Sequence, residues 1–187
     1  MIEVELKASL TAEEAARMET AVLACGFLPT GAVRETDIYF NGTARDFRQT
    51  DEALRLRTVQ SLPDGQPQTL VTYKGPKLDA VSASRMEYET AVADAAVMQK
   101  LFAALGFAPL YTVRKTRRSF TCGARTVCLD TVDSLGDFME LESLLPDGSD
   151  RAAATEELLS LLGALGVART ALTRKSYLEL LIASATE

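Results

Sequence analysis

A closed antiparallel β-barrel of the α+β class, with an ionic interior and an apolar outer surface covered by helices, is the architecture this sequence predicts. Three observations lead there. First, charged residues recur at i, i+2 between aliphatic or aromatic ones. Glu3, Glu5 and Lys7 alternate with Ile2, Val4 and Leu6, and Arg55 and Arg57 with Leu54 and Leu56. Glu87 and Glu89 flank Tyr88, Lys115 and Arg117 flank Thr116, and Glu140 and Glu142 flank Leu141. Alternate side chains of a strand point to opposite faces, so each segment has one charged face, and a closed barrel lets all five faces converge. Second, segments with strand character outnumber those with helical character. Third, a loose unit recurs: Glu-x-Glu at 3/5, 87/89 and 140/142, a helix stopped by Gly26, Gly106 or Gly166, then a strand with basic residues.

In chain order, residues 2–8 form the first strand. A helix runs from Ala12 to Cys25, with Thr11 and Glu14 as a capping box and Gly26 as its stop. A strand follows at 34–40, and the polar residues 41–52 read as a loop. Strands 53–60 and 69–75 are joined by a turn at Pro63-Asp64-Gly65, and residues 76–84 form a second loop. After the strand 85–92, Asp94 caps a helix over Ala95–Leu105 that ends before Gly106. Strands are expected at 111–121, 125–132 and 137–143, a helix over Arg151–Leu165 before Gly166, and a last strand at 172–178. No Pro-, Gly- or Ser-rich linker divides the chain, so residues 1–187 read as one domain.

Composition narrows the chemistry. Hydrophobic residues make up 47% and charged residues 25%, the profile of a soluble globular protein, and no apolar run reaches membrane-spanning length. The N-terminus enters a charged strand directly, so no secretory leader is expected. A net charge of −6 argues against nucleic acid as the main partner but allows a local basic pocket. Histidine is absent, which removes the commonest general base, the Ser-His and Cys-His nucleophile pairs and most zinc sites. Cys25, Cys122 and Cys128 lack zinc-ligand spacing and read as reduced thiols in a cytoplasmic protein.

Glu3, Glu5, Glu140 and Glu142 are hard oxygen donors suited to Mg²⁺ or Mn²⁺, with Glu87, Glu89 and Asp130 as contributors; the competing reading pairs them with neighbouring cations or solvates them. Lys7, Arg55, Arg57, Lys74, Arg85, Lys115, Arg117, Arg174 and Lys175 exceed what the inward carboxylates need and suit an anionic ligand. Arg34, Arg114 and Arg118, isolated or of opposite parity, read as surface charge. No Walker A loop exists, so phosphate would be held by side chains. Tyr39, Tyr73, Tyr88, Tyr111 and Tyr177 suit strand packing, with base stacking as the alternative.

These residues resemble a known family. Glu3-x-Glu5-x-Lys7 is similar to the signature of CYTH proteins, the triphosphate tunnel metalloenzymes. The resemblance continues through Asp37-Ile-Tyr39-Phe40, Leu54-Arg55-Leu56-Arg57, Tyr73-Lys74-Gly75-Pro76, Arg85-Met-Glu87-Tyr-Glu89, Lys115-x-Arg117, Leu129-Asp130, Gly136-Asp-Phe138-Met-Glu140-Leu-Glu142 and Ser176-Tyr177. It implies an eight-stranded antiparallel tunnel dependent on divalent metal, Mg²⁺ or Mn²⁺. Within the family the chain is most similar to small bacterial class IV adenylyl cyclases. The resemblance then implies Glu3, Glu5, Glu140 and Glu142 as metal ligands with Asp130 contributing, and Lys7, Arg55, Arg57, Lys74, Arg85, Lys115 and Arg117 on the triphosphate. Glu87 and Glu89 would order the basic set, with Arg174 and Lys175 in support. The implied reaction converts ATP to cAMP and pyrophosphate. The same tunnel serves triphosphatases acting on inorganic tripolyphosphate, thiamine triphosphate or nucleotides. A non-catalytic polyphosphate or nucleotide binder would gain little from so many carboxylates. The resemblance is compatible with a homodimer.

Overall fold

The computed structural model describes residues 2–77, 85–146 and 149–185, with residues 2, 3 and 77 described by backbone alone. Among these residues lie nine strands: β1 (Ile2–Leu10), β2 (Leu28–Gly42), β3 (Ala53–Ser61), β4 (Gln68–Lys77), β5 (Arg85–Val92), β6 (Phe107–Cys122), β7 (Arg125–Val132), β8 (Gly136–Leu145) and β9 (Leu172–Thr173). The α-helices are α1 (Ala12–Ala24), α2 (Phe47–Thr50), α3 (Ala95–Ala104), α4 (Arg151–Ala164) and α5 (Tyr177–Ser184). No helix among the described residues is long and apolar enough to cross a membrane.

The strands form one antiparallel sheet in the order β5-β4-β3-β2-β6-β7-β8-β1-β9. The nine strands match the nine candidates of the sequence, against the eight that the resemblance implies, and among the described residues no hydrogen-bonded ladder joins the two ends of the sheet. The sheet curls all the same, and β5 comes within 8 Å of β1, Cα to Cα. Register shifts between Pro29 and Gly31 and between Tyr39 and Phe40, on the long β2–β6 pair, add local bend and twist. The candidate strand at 172–178 divides: only Leu172 and Thr173 pair with β1. Ser176 and Glu179 form a capping box, Glu179 N donating to Ser176 Oγ and Ser176 N to Glu179 Oε2, and the chain turns helical at Tyr177.

The other caps follow the sequence. Thr11 and Glu14 form the capping box of α1, and Asp94 and Asp150 accept from the first free amides of α3 and α4. Gly26 and Gly166 follow α1 and α4 at φ of 83° and 73°, a conformation that side chains with a Cβ disfavour. The loop expected over 41–52 contains α2, which is too short to show a helical period. Its start is marked by Asp46, whose side chain accepts from Arg48 N, and by Asn41, which accepts from Phe47 N.

The largest apolar core lies outside the curled sheet. Val4, Leu6 and Ala8 of β1 and Met139 and Leu141 of β8 pack under Met18 and Val22 of α1 and Leu158 and Leu162 of α4. Strand alternation therefore sends Glu5, Lys7, Glu140 and Glu142 to the concave face. A smaller apolar layer has the opposite placement. Tyr39, Val113, Val132 and Phe138 share strand parity with the inward charges, and Tyr177 and Leu181 of α5 pack on them. Helix α5 thus seats on the inner face of the sheet. Leu141, fully buried in the outer core, tests this division. Leu141→Ala is expected to lose roughly 2–5 kcal/mol in urea unfolding, against about 0.5 kcal/mol or less for Leu144→Ala, which is 50% exposed.

Candidate functional site

The concave face encloses a cavity of about 400 Å³ whose lining includes Glu5, Lys7, Arg55, Lys115, Arg117 and Glu142. Register makes the pairs. Lys7 lies opposite Glu140 and Glu5 opposite Glu142 across β1 and β8. Arg57 lies opposite Asp37 across β2 and β3, Arg117 opposite Asp130 across β6 and β7, and Lys74 opposite Glu87 across β4 and β5.

Two ionic clusters result, the first buried and the second opening to solvent at Glu87 and Glu89. In one, Arg117 donates through Nε to Asp130 Oδ1 at 2.7 Å and through Nη2 to Asp130 Oδ2 at 2.6 Å, and also to Glu140. Lys115 donates to Asp130 at 2.8 Å, and Tyr177 Oη donates to the same carboxylate at 2.9 Å. Lys7 lies 3.1 Å from Glu140 and 3.3 Å from Glu5. In the other, Arg57 grips both oxygens of Asp37 at 2.7 Å and lies 3.1 Å from Glu35. Arg55 donates to Thr72, which donates to Glu89, while Lys74 lies 2.7 Å from Glu87. Glu35 joins the clusters, since Lys115 is 3.3 Å from it. Arg85 ties β5 to the segment after α2, donating to the Asp51 carbonyl and carboxylate and to the Gly75 carbonyl.

Burial works against these charges, and their partners prevail. Burial alone would raise Glu140, but Arg117, Lys7 and Lys115 hold its carboxyl well below the usual range. Asp130 is likewise lowered against burial by Lys115 and Arg117, and Asp37 by Arg57. Lys7 would lose its proton more readily on burial, yet Glu140 and Glu5 raise it above an ordinary lysine. Burial, with Glu140 and Asp130 nearby, raises Tyr177, which stays a protonated donor. Burial pushes the Cys128 thiol up to about 12.

The structure gathers most of the residues singled out by sequence. Glu5, Lys7, Arg55, Arg57, Lys74, Arg85, Glu87, Glu89, Lys115, Arg117, Glu140, Glu142 and Arg174 line the cavity. The Glu3 side chain lies outside the described residues. Asp130 sits behind the wall, its side chain excluded from solvent by Lys115, Arg117 and Tyr177. Lys175 is exposed and does not line the cavity. Arg118 pairs outside with Glu19 of α1, and Arg114 is exposed, as their parity requires. Sequence reasoning missed Glu35 and Asp37, although they repeat the same i, i+2 signal on β2. It also missed the buried hydroxyl of Tyr177.

The donor chemistry fits a hard divalent cation. Glu5 and Glu142 stand directly opposite each other as hard oxygen donors, with Lys7 3.3 Å from Glu5 and Arg117 3.6 Å from Glu142 offsetting part of their repulsion. Among the described residues no three carboxylates or thiols are already grouped to hold an ion, and Glu140 is drawn to Lys7 and Arg117 instead.

The model of the CYTH domain family matches residues 1–177. The chain belongs to the CYTH family. A Methanocaldococcus jannaschii CYTH relative that carries the provisional name adenylate cyclase MJ0240 is 38% identical over 180 residues, covering 96% of this chain and 98% of that protein. The solved structure of PH1819 from Pyrococcus horikoshii OT3 has a TM-score of 0.88 at 35% identity, covering 97% of this chain and 99% of that one. HpAC1 from Hippeastrum has a TM-score of 0.69 at 15% identity over 100% of this chain and 96% of its own. It carries the provisional name adenylyl cyclase and is described as having a dominant triphosphatase activity, and at that identity the likeness concerns the fold alone.

Asp130→Asn removes a carboxylate on which three donors converge in this CYTH chain, leaving Lys115 and Arg117 partly unpaired. It is expected to cost roughly 3–5 kcal/mol in chemical denaturation. Because Glu140, Asp130 and Asp37 have lowered folded-state values, their contribution is complete above the ordinary carboxylate range and fades as pH falls through those values. Wild-type stability measured in urea should therefore be flat with respect to these groups above about pH 5 and decline below about pH 4.

Proposed function

We propose that the chain is a divalent-metal-dependent adenylyl cyclase that converts ATP to cAMP and pyrophosphate. One observation carries the reading: a single cavity combines inward lysines and arginines from β1, β3, β4 and β6 with apolar lining from Phe47 of α2 and Leu178 and Ile182 of α5. A ligand with a polyanionic tail and an apolar base suits both parts. The cyclase name of the 38% identical relative supports the same substrate.

Charge balance supports the metal. Among the described lining residues, carboxylates equal cations in number, so a bare triphosphate gains little net attraction. A divalent cation held by Glu5 and Glu142 would supply Lewis acidity at phosphate oxygen and ease ionisation of the ribose 3′-hydroxyl. Lys7, Lys115, Arg117 and Arg55 would orient the phosphates. The 3′-oxygen forms a bond to the α-phosphorus as the bond to the β-phosphate bridging oxygen breaks, and the 3′-hydroxyl proton is released. The nearby guanidinium and ammonium groups would neutralise charge developing on pyrophosphate. Asp130 would act from behind the wall and Asp37 from within the lining, each fixing the cations that face the ligand. The three cysteines are free, in keeping with a reducing cytoplasm.

The second reading is a triphosphatase, in which water attacks the terminal phosphorus, the activity described for HpAC1, which shares the fold. Substrate chemistry separates the two. With Mg²⁺ or Mn²⁺, ATP should give cAMP and pyrophosphate by chromatography, and 3′-deoxy-ATP should bind without turnover because it lacks the nucleophile. Orthophosphate from both nucleotides, with no cAMP, would replace the cyclase by the triphosphatase. Glu142→Gln should fold and lower turnover by at least ~10²-fold, equivalent to about 2.7 kcal/mol of transition-state stabilisation. Full turnover after exhaustive chelation would remove the metal from the scheme.

A further inference from the structure

Helix α5 brings one aromatic ring to two buried lysines from distant strands. Lys7 of β1 places Nζ 4.5 Å from the centroid of the Tyr177 ring, and Lys115 of β6 places Nζ 5.0 Å from it. Strands β7 and β8 lie between β1 and β6 in the sheet, so the ring links two walls of the cavity that share no ladder. The lysine side chains are 10% and 3% exposed. The ring itself is held on two further sides, by an edge contact with Phe138 at 5.1 Å between centroids and by its hydroxyl on Asp130.

An aromatic face attracts an ammonium through its quadrupole. Unlike a carboxylate, it neither neutralises the charge nor occupies a particular N–H donor. Each lysine has carboxylate partners that pull it toward the wall: Glu5 and Glu140 for Lys7, Glu35 and Asp130 for Lys115. A ring that holds both without further neutralisation leaves N–H donors for a phosphate oxygen. We infer that Tyr177 is a positioning residue for triphosphate binding, its ring holding the Lys7 and Lys115 ammonium groups at the places where phosphate oxygens must find them. This rests on the triphosphate reading of the cavity and adds a residue whose role runs through the two lysines.

Progressive fluorination tests the ring's electronics with little change in its shape. The series places phenylalanine, 3-fluoro- and 3,5-difluorophenylalanine at position 177 of the full chain, leaving the para position that faces Asp130 unfluorinated, with Tyr177→Leu as the non-aromatic limit. The first readout needs no ligand: lysine side-chain NMR should show ring-current-shifted Lys7 and Lys115 methylene signals in wild type and the aromatic variants, and lose them in Tyr177→Leu. The second is the Kd for tripolyphosphate with Mg²⁺, by calorimetry. From phenylalanine to the difluoro variant, affinity should fall stepwise, by about fivefold in all, with Tm essentially constant. A purely structural role gives a flat series. Flat affinity across the fluorinated rings, or lysine signals indifferent to removal of the ring, overturns the inference, and the fluorinated set decides it even where Tyr177→Leu fails to fold. Wild-type protein that binds neither tripolyphosphate nor ATP overturns the triphosphate reading and the binding role with it, while the lysine signals separately decide whether the ring holds them.

Discussion

The fork of Arg117 on Asp130 is the interaction around which the inner face is organised. It joins neighbouring strands β6 and β7, and Asp130 also receives Lys115 and the hydroxyl of Tyr177 from α5. Arg117 extends the set to Glu140, and Glu140 to Lys7. Taking such charges from water costs several kcal/mol per ion before pairing offsets it. The inner face therefore does not drive folding. The favourable term lies on the other side of the same strands, where Val4, Leu141, Leu158 and Leu162 are buried among α1, α4 and the sheet. Each such side chain contributes about 1.5–3 kcal/mol. The outer core holds the strands in register, and register brings each cation opposite its carboxylate.

That division explains what was legible in the sequence. Strand parity separates Glu5 and Lys7 from Val4 and Leu6, and Arg117 from Arg118, so the lining of most of the cavity follows from a period of two. Helices α1, α3 and α4 carry strong caps and lie close to their expected bounds. Glu35 and Asp37 obey the same period but escape notice because Arg34 and Thr36 blur the alternation around them. Helix α5 is harder to read. Its apolar residues suit a strand, and only the Ser176–Glu179 box marks the change to helix. The ends of the sheet are harder still, because the bends at Gly31 and Phe40 and the brevity of β9 reflect tertiary packing rather than local pattern.

The inner face also shows why like patterns need not mean like roles. Glu140 and Glu142 occupy equivalent positions on β8, yet Glu140 is locked between Lys7 and Arg117 while Glu142 faces Glu5 and lies 3.6 Å from Arg117. Arg57 spends both of its parallel donors on Asp37, whereas among the described residues Lys74 has one carboxylate partner, Glu87, at 2.7 Å. Cations fixed from behind are pre-organised, so ordering them adds little to the cost of binding an anion. Those with fewer ties can follow the ligand.

The meeting of β1 with β8, β9 and α5 has a consequence for the chain during its synthesis. Lys7 leaves the ribosome about 170 residues before Tyr177, and its strand finds β8 and β9 only after nearly all of the intervening chain has emerged. Pairing at such separation is slow to form. Until then β1 is a nascent edge with an aliphatic face exposed and its charges unmatched, a target for chaperones and for wrong strand partners. The same delay means that a growing chain has no finished cavity, and a polypeptide stalled short of α5 lacks the Tyr177 ring and the apolar lining of Leu178 and Ile182.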